Sequence, residues 1–486
     1  MLKKLTPATP EKIEQISLDA LVPQNHLVRK IAKVIDFEFI REAVAPLYCP
    51  NNGRPAEDPV RLFKIMLLGY LFGIPSERRL VQEIQVNLAY RWFLGMGLTE
   101  KVIDASTLSQ NCRRRFNDSE IYQQIFDNIV EQAIAKGLIS GRVLYTDSTH
   151  LKANANKGKA RNEQRIVEPS QYVDALNQAI NEERELNGKK PLKPSTVEKY
   201  KDVKVSTTDP DSGFMHREGK PKGFFYLDHR TVDGKHNLIT DTYVTAGNVH
   251  DSQPYMARLK RQLERFGFNP VGVGLDAGYF TAPICHLLLA EQIYPVLGYR
   301  RASHGANPIR KKQFIYNSQT DTYTCPNGKS LIYKTTSREG YRHYHSDAAT
   351  CKVYPLLSQC TQSKNTQKVI TRHIWEAYKE KANEIRLSQW GKKVYARRKE
   401  TVDRSFADAK QHHGHRYARF RGRAQVQMQC LLAATAQNIK KIAIKLFLLH
   451  FFRPFFNLFN KIQIKNPVYG LNKKINPELY RGLSSI

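Results

Sequence analysis

Two aspartates stand where a strand could present them, and a third where a helix could. Asp147 closes the β-prone run Val143-Leu144-Tyr145, and Asp276 closes Val271–Leu275 just ahead of Gly278. Carboxylates at the ends of strands in one sheet can converge on a hard divalent cation. Asp403, in a later basic helical segment, could complete the set. Mg²⁺ beside a phosphate gives acids in a basic chain a purpose, because the ion offsets carboxylate repulsion. Two such ions about 4 Å apart activate a water or a 3′-hydroxyl and stabilise the leaving oxygen. The chemistry predicted is phosphoryl transfer on a nucleic-acid backbone. A single strand-end Asp followed by Ser-Thr reads as readily as a turn or cap. The joint occurrence of three acids carries the reading.

The surroundings suit a polyanion. The 486 residues hold 76 Lys+Arg against 45 Asp+Glu, a net charge of +31. Such an excess repels itself unless a polyanion relieves it, and nucleic acid is the natural partner. Between Arg386 and Arg423 there are twelve basic and three acidic residues. Arg416, Arg419, Arg421 and Arg423 alternate there with Tyr417 and Phe420, a pattern suited to phosphate contact and base stacking. A solvated face is the plainer alternative. His250-Asp251 precedes an amphipathic helix, and Asp251 reads first as its N-cap. Seven cysteines are too few for a disulfide scaffold and read as thiols or metal ligands. Cys325, Cys351 and Cys360 fall close together, with His343 or His345 as a possible fourth donor for Zn²⁺.

These residues need a scaffold, and the hydropathy pattern predicts one in pieces. With 41% hydrophobic residues there is material for a core. Residues 1–138 read as a helical N-terminal DNA-binding domain, or alternatively as a dimerisation or packing domain with a solvated basic face. Asp58-Pro59 and Ser76 are helix starts, and Val60, Phe63, Leu67 and Tyr70 fall at helical spacing. Residues 139–297 read as strand, polar insertion (151–222), hairpin around Asp233-Gly234, helix, strand, helix, strand. That order predicts a mixed α/β sheet flanked by helices. Residues 298–385 form a cysteine-containing insertion, and 386–450 a helical part with a long helix from Ala424 to about Leu449. Residues 451–486 are a basic aromatic tail in which Pro454 argues against one continuous helix. No apolar run spans a bilayer uninterrupted, and the start is too polar for a signal sequence. The expectation is a cytoplasmic, nucleoid-associated protein with no membrane partner.

In combination these segments resemble a known family. YTDSTHLKANANK around Asp147, KGFFYLDHRTVDGKHNLI, GLDAGYF around Asp276 and RRKETVDRSFADAKQHHGHRYARFRG around Asp403 are similar to bacterial insertion-sequence transposases of the DDE type. HLVRKIAKVIDF and the segment through Arg78-Arg79 resemble the helical domain ahead of such cores, and His250-Asp251 resembles a family element near the site. The resemblance implies an RNase H-like core and binding of terminal inverted repeats. It also implies metal-dependent strand cleavage and strand transfer, and a homo-oligomer in the active complex. Asp147, Asp276 and Asp403 match the three acids that hold Mg²⁺, with Mn²⁺ as a substitute. Lys410 matches a lysine seven residues after the third acid, and Arg398 and Lys399 match upstream phosphate contacts. The family's third acid is Glu, so Asp403 is a departure; Glu400 lies out of register. The cysteines resemble a zinc-ribbon-like insertion, with Tyr354 where a fourth cysteine is expected. These departures keep a second reading open, a decayed transposase that binds DNA without catalysis.

Overall fold

The computed structural model describes residues 15–49, 56–116, 120–166, 172–193, 200–216, 222–299 and 308–465. The polar start (1–14) and the tail beyond Lys465 lie outside the described residues. The central sheet is built from β1 (Val143–Lys152), β2 (Gly223–Asp233), β3 (Ile239–Ala246), β4 (Gly272–Leu275) and β5 (Tyr294–Leu297). Its order is β3-β2-β1-β4-β5. The hairpin β2–β3 and the pair β1–β2 are antiparallel, whereas β4 and β5 run parallel to β1. A short strand, Gly213–Met215, continues the outer edge beside β2. β2 is buried along its whole length, so its charged residues must find partners inside the protein.

The hairpin turn is pinned by Asp233. Its carboxylate accepts from Ser140, Gly141 and Lys235, which locks the entry into β1 to the turn between β2 and β3. β1 differs from expectation: it does not end at Asp147 but runs on to Lys152. Only the parallel partner stops, with Leu275 opposite Thr146. The second half of β1 stays paired with β2 as far as Lys152↔Phe225, which keeps Ser148–Lys152 extended despite their polarity.

The amino-terminal region is helical, as its pattern predicts. Helix α1 (Pro59–Leu71) starts where Asp58 accepts from Val60 N at 2.8 Å, and Pro59 lacks the donor that position would orphan. Helix α2 (Ile121–Ala135) leads into β1. α3 (Ser252–Phe266) follows β3, and α4 (Val402–His412) carries Asp403. α5 (Arg423–Lys465) runs straight through Pro454, so the expected break does not occur. A proline removes one hydrogen bond, and the turns on both sides of it keep theirs. Phe63, Phe126, Val232, Leu431 and Ile439 share one hydrophobic cluster, so the N-terminal helices, the sheet and α5 pack on a common core.

The polar insertion is not loop alone. It holds the helix Val173–Leu186 and a two-stranded ribbon, Ala160–Ile166 with Tyr200–Ser206. The cysteine-containing insertion forms a five-stranded antiparallel sheet between Ile315 and His373. Among the described residues no helix is long and apolar enough to cross a membrane.

Candidate active site

The parallel pair β1–β4 positions two of the acids. Leu275 pairs with Thr146, so the next residue on each strand is an aspartate. Asp276 leaves the ladder and caps the 3₁₀ turn Ala277–Tyr279, accepting through Oδ1 from Gly278 N. Asp147 stays on β1, accepting from Ser148 N at 2.8 Å and from Arg398 Nη2 at 2.6 Å. Asp403, in the first turn of α4, lies 4.0 Å from the same Arg398 nitrogen. Burial lifts the Asp147 carboxyl to about 6; Arg398 and the Ser148 amide oppose the rise, and Asp276 and Asp403 add to it. Glu400 is exposed, and its carbonyl accepts from Asn237.

The cationic candidates separate into two groups. Arg398, with 10% of its side chain exposed, faces the acids rather than open solvent. Lys410 donates to Thr149 Oγ1 at 2.6 Å, two residues along β1 from Asp147 and on the same face. Arg419 is half-buried against the Tyr70 ring, 4.7 Å from its centre. Lys399, Arg416, Arg421 and Arg423 are exposed. Arg421 is steadied by the Asn154 carbonyl, and the Arg423 amide by Asp211.

A buried network beneath the acids is the feature the sequence reading missed. Arg230 pairs with Asp147 across β1–β2 and shares its face. It donates to Asp228 at 2.8 Å, to Ser405 Oγ at 3.1 Å and to Gln437 at 2.9 Å, and it stacks on Phe406. Asp228 also accepts from His415 Nε2 and from Thr242. Burial pushes the Asp228 carboxyl up, but Arg230 and His415 outweigh it and hold it below the usual carboxylate range. Charged Asp228-His229-Arg230 inside a β-prone run was the available signal. Asp228, His415 and Cys430 bring ligand-type atoms within 4.8 Å of one another. The carboxylate there is already bonded by a guanidinium, an imidazole and a hydroxyl, so this set does not fit a metal ion.

Asp251 also departs from expectation. It holds the N-cap position of α3, yet its side chain accepts nothing from that helix. Its Oδ1 takes the Ser148 hydroxyl at 2.7 Å instead.

The three cysteines line one cavity of about 220 Å³ with Tyr354 and Lys368, and neither His343 nor His345 lines it. Cys351 Sγ donates to Ser346, and burial raises the Cys360 thiol. Three thiols and a phenol fall short of the four soft or imidazole donors zinc takes, and the Asp347 carboxylate, which also lines the cavity, accepts from Thr350.

Two family models match parts of the chain. Residues 16–114 match the family model described as a transposase domain (DUF772), and residues 324–443 match a transposase DDE domain. The second match includes Asp403 and Lys410. No curated protein matches. Among solved structures the chain is similar to piggyBac transposase in a synaptic complex with hairpin DNA. That likeness has 11% identity and a TM-score of 0.29, over 93% of this chain and 88% of that one. The two matched stretches, one ahead of the sheet's strands and one after them, are both transposase domains and support a DNA transposase.

Proposed function

We propose that the protein moves a bacterial insertion sequence by binding its terminal inverted repeats, cutting the strands there and joining the freed 3′ ends to target DNA. The observation that supports this most is the gathering of Asp276 and Asp403 close enough to Asp147 to raise its carboxyl, with Arg398 between Asp147 and Asp403. The sheet order, with β4 and β5 parallel to β1 and the hairpin antiparallel, supports an RNase H-like core. The donor set fits a hard cation: three carboxylates, one raised by burial and by its neighbours, with a guanidinium bridging two of them. Asp147, Asp276 and Asp403 would hold Mg²⁺, or Mn²⁺ in its place. Such an ion, when bound, supplies positive charge at the reacting phosphate and eases deprotonation of the attacking hydroxyl. Arg398 balances the acids' charge, and Lys410 steadies β1 through Thr149. Lys399, Arg416, Arg421 and Arg423 hold phosphates, and two copies join in the active complex to bring both ends together.

The short third acid supports the second reading, a protein that binds DNA without cutting it. Asp403 is 47% exposed and reaches only to 4.0 Å from Arg398. An acid displaced by about 1 Å can cost on the order of 100-fold in rate. A cleavage and strand-transfer assay on the DNA flanking the gene, with Mg²⁺ or Mn²⁺, separates the readings. Metal-dependent products that vanish in Asp147→Ala, with a rate gain of about 10-fold or more in Asp403→Glu, are expected. Tight binding without product, in wild type and in Asp403→Glu, selects the non-catalytic reading.

A further inference from the structure

We propose that Asp251 is a fourth carboxylate of the metal centre and shares a divalent cation with Asp276 in the space above Gly278. The inference rests on the reading of Asp147 and Asp276 as metal ligands. It adds a residue from a different element, the start of α3.

Three observations place Asp251 there. First, its side chain gives up the capping role its position offers, and turns to the hydroxyl of Ser148, the residue after Asp147. Among the described residues nothing donates to its Oδ2, so one oxygen stays available. Second, a Cβ built on Gly278 would lie 3.4 Å from Asp276 Oδ1 and 3.6 Å from Asp251 Oδ2. The two carboxylates therefore face one small space, and a residue without a side chain keeps it open. Gly278 has no positive φ, so the backbone does not require glycine. Third, two fully buried polar groups next to this space have no hydrogen-bond partner, the Tyr279 hydroxyl and His229 Nδ1. Burial raises the Tyr279 hydroxyl, and Asp251, Asp147 and Asp276 each add to the rise, which sets that hydroxyl among the three acids. Burial lowers His229 to about 4, and the charge on Asp251 is the largest opposing it. Orphaned polar atoms around converging carboxylates are what a hydrated cation would satisfy.

Chemically, a fourth acid answers the weakness of Asp403. A carboxylate on a short, exposed side chain holds a cation loosely. Asp251 is fixed by Ser148 and by the first turn of a fifteen-residue helix.

The test uses the full chain and Mn²⁺ alone, read by electron paramagnetic resonance titration and by thermal melting with and without the ion. Wild type, Asp251→Asn, Gly278→Ala and Asp147→Asn are compared. Wild type is expected to bind Mn²⁺. Asp251→Asn and Gly278→Ala should each weaken that binding at least 10-fold and lose most of the Mn²⁺-induced rise in melting temperature. Both should melt as wild type does without the ion. Gly278→Ala guards against a folding artefact, because its methyl group meets only van der Waals contacts. Unchanged Mn²⁺ binding in these two variants, with loss in Asp147→Asn, overturns the proposal and leaves the three-acid site standing. No Mn²⁺ binding by wild type overturns both.

Discussion

Asp147 carries a consequence for stability as well as for chemistry. Its folded-state value of about 6 lies above the 3.8 of a free carboxyl, so the fold holds that proton more tightly than the unfolded chain does. In metal-free protein the contribution of this group to stability therefore falls as pH rises from about 4 to about 6, and stays lowered above. Asp147→Asn removes the charge and keeps the shape. In EDTA at pH 8 it should melt higher than wild type, by on the order of 2 kcal/mol in stability, with the difference closing below pH 4. Melting curves at both pH values decide it; a variant that melts lower at pH 8 would mean that the ion pair with Arg398 outweighs burial. The three acids stood out in the sequence because Asp276 and Asp403 sit where an element ends or begins, and Asp147 closes an apolar run inside β1. Asp251 was legible only as one of two readings, a helix cap or part of a His-Asp element near the site, since a carboxylate ahead of a helix looks the same whether it caps or turns away. Arg398 was legible as a cation but not as a partner of Asp147, which is 251 positions distant along the chain.

At the scale of elements, the position of α4 matters most, because it brings Asp403 and Lys410 to β1. Arg230 ties it down: the guanidinium reaches from β2 to Ser405 on α4 and Gln437 on α5, and lies over Phe406. Arg230→Met would fill similar volume but strand Asp228, which is wholly buried, with only His415 and Thr242. Removing one partner of a buried ion pair costs about 3–5 kcal/mol. Urea denaturation should show a loss of that size for Arg230→Met, and a much smaller one for Arg421→Ala, whose side chain is exposed. A loss under about 1 kcal/mol would show that Asp228 is not held by this pair. The hydropathy pattern predicted the hairpin, α3 and the strands that end at Leu275 and Leu297. It ended β1 too early, because polarity in Ser148–Lys152 conceals pairing that only β2 supplies. It also missed the strands inside both insertions, whose pairing partners lie across long loops.

The whole molecule gathers around α5, which touches the N-terminal helices on one side and β3 on the other. That shared core fixes the basic stretch ahead of α5 relative to the acids. Arg416 and Ala418 run beside Lys152 at the far end of β1, so the arginines lie along the strand that carries Asp147. A duplex with its scissile phosphate at the acids could then extend over Arg416, Arg421 and Arg423. A net charge of +31 predicts that phosphate neutralisation dominates affinity. Binding to DNA of any sequence should weaken by roughly 10³-fold or more between 50 and 200 mM salt. Arg416→Ala and Arg421→Ala should each lower the slope of log affinity against log salt by about one, leaving any preference for end sequences unchanged. Fluorescence anisotropy over a salt series measures both. If the two variants keep the wild-type slope but lose the preference for end DNA, these arginines read bases. The duplex would then follow a different path from the one set by β1.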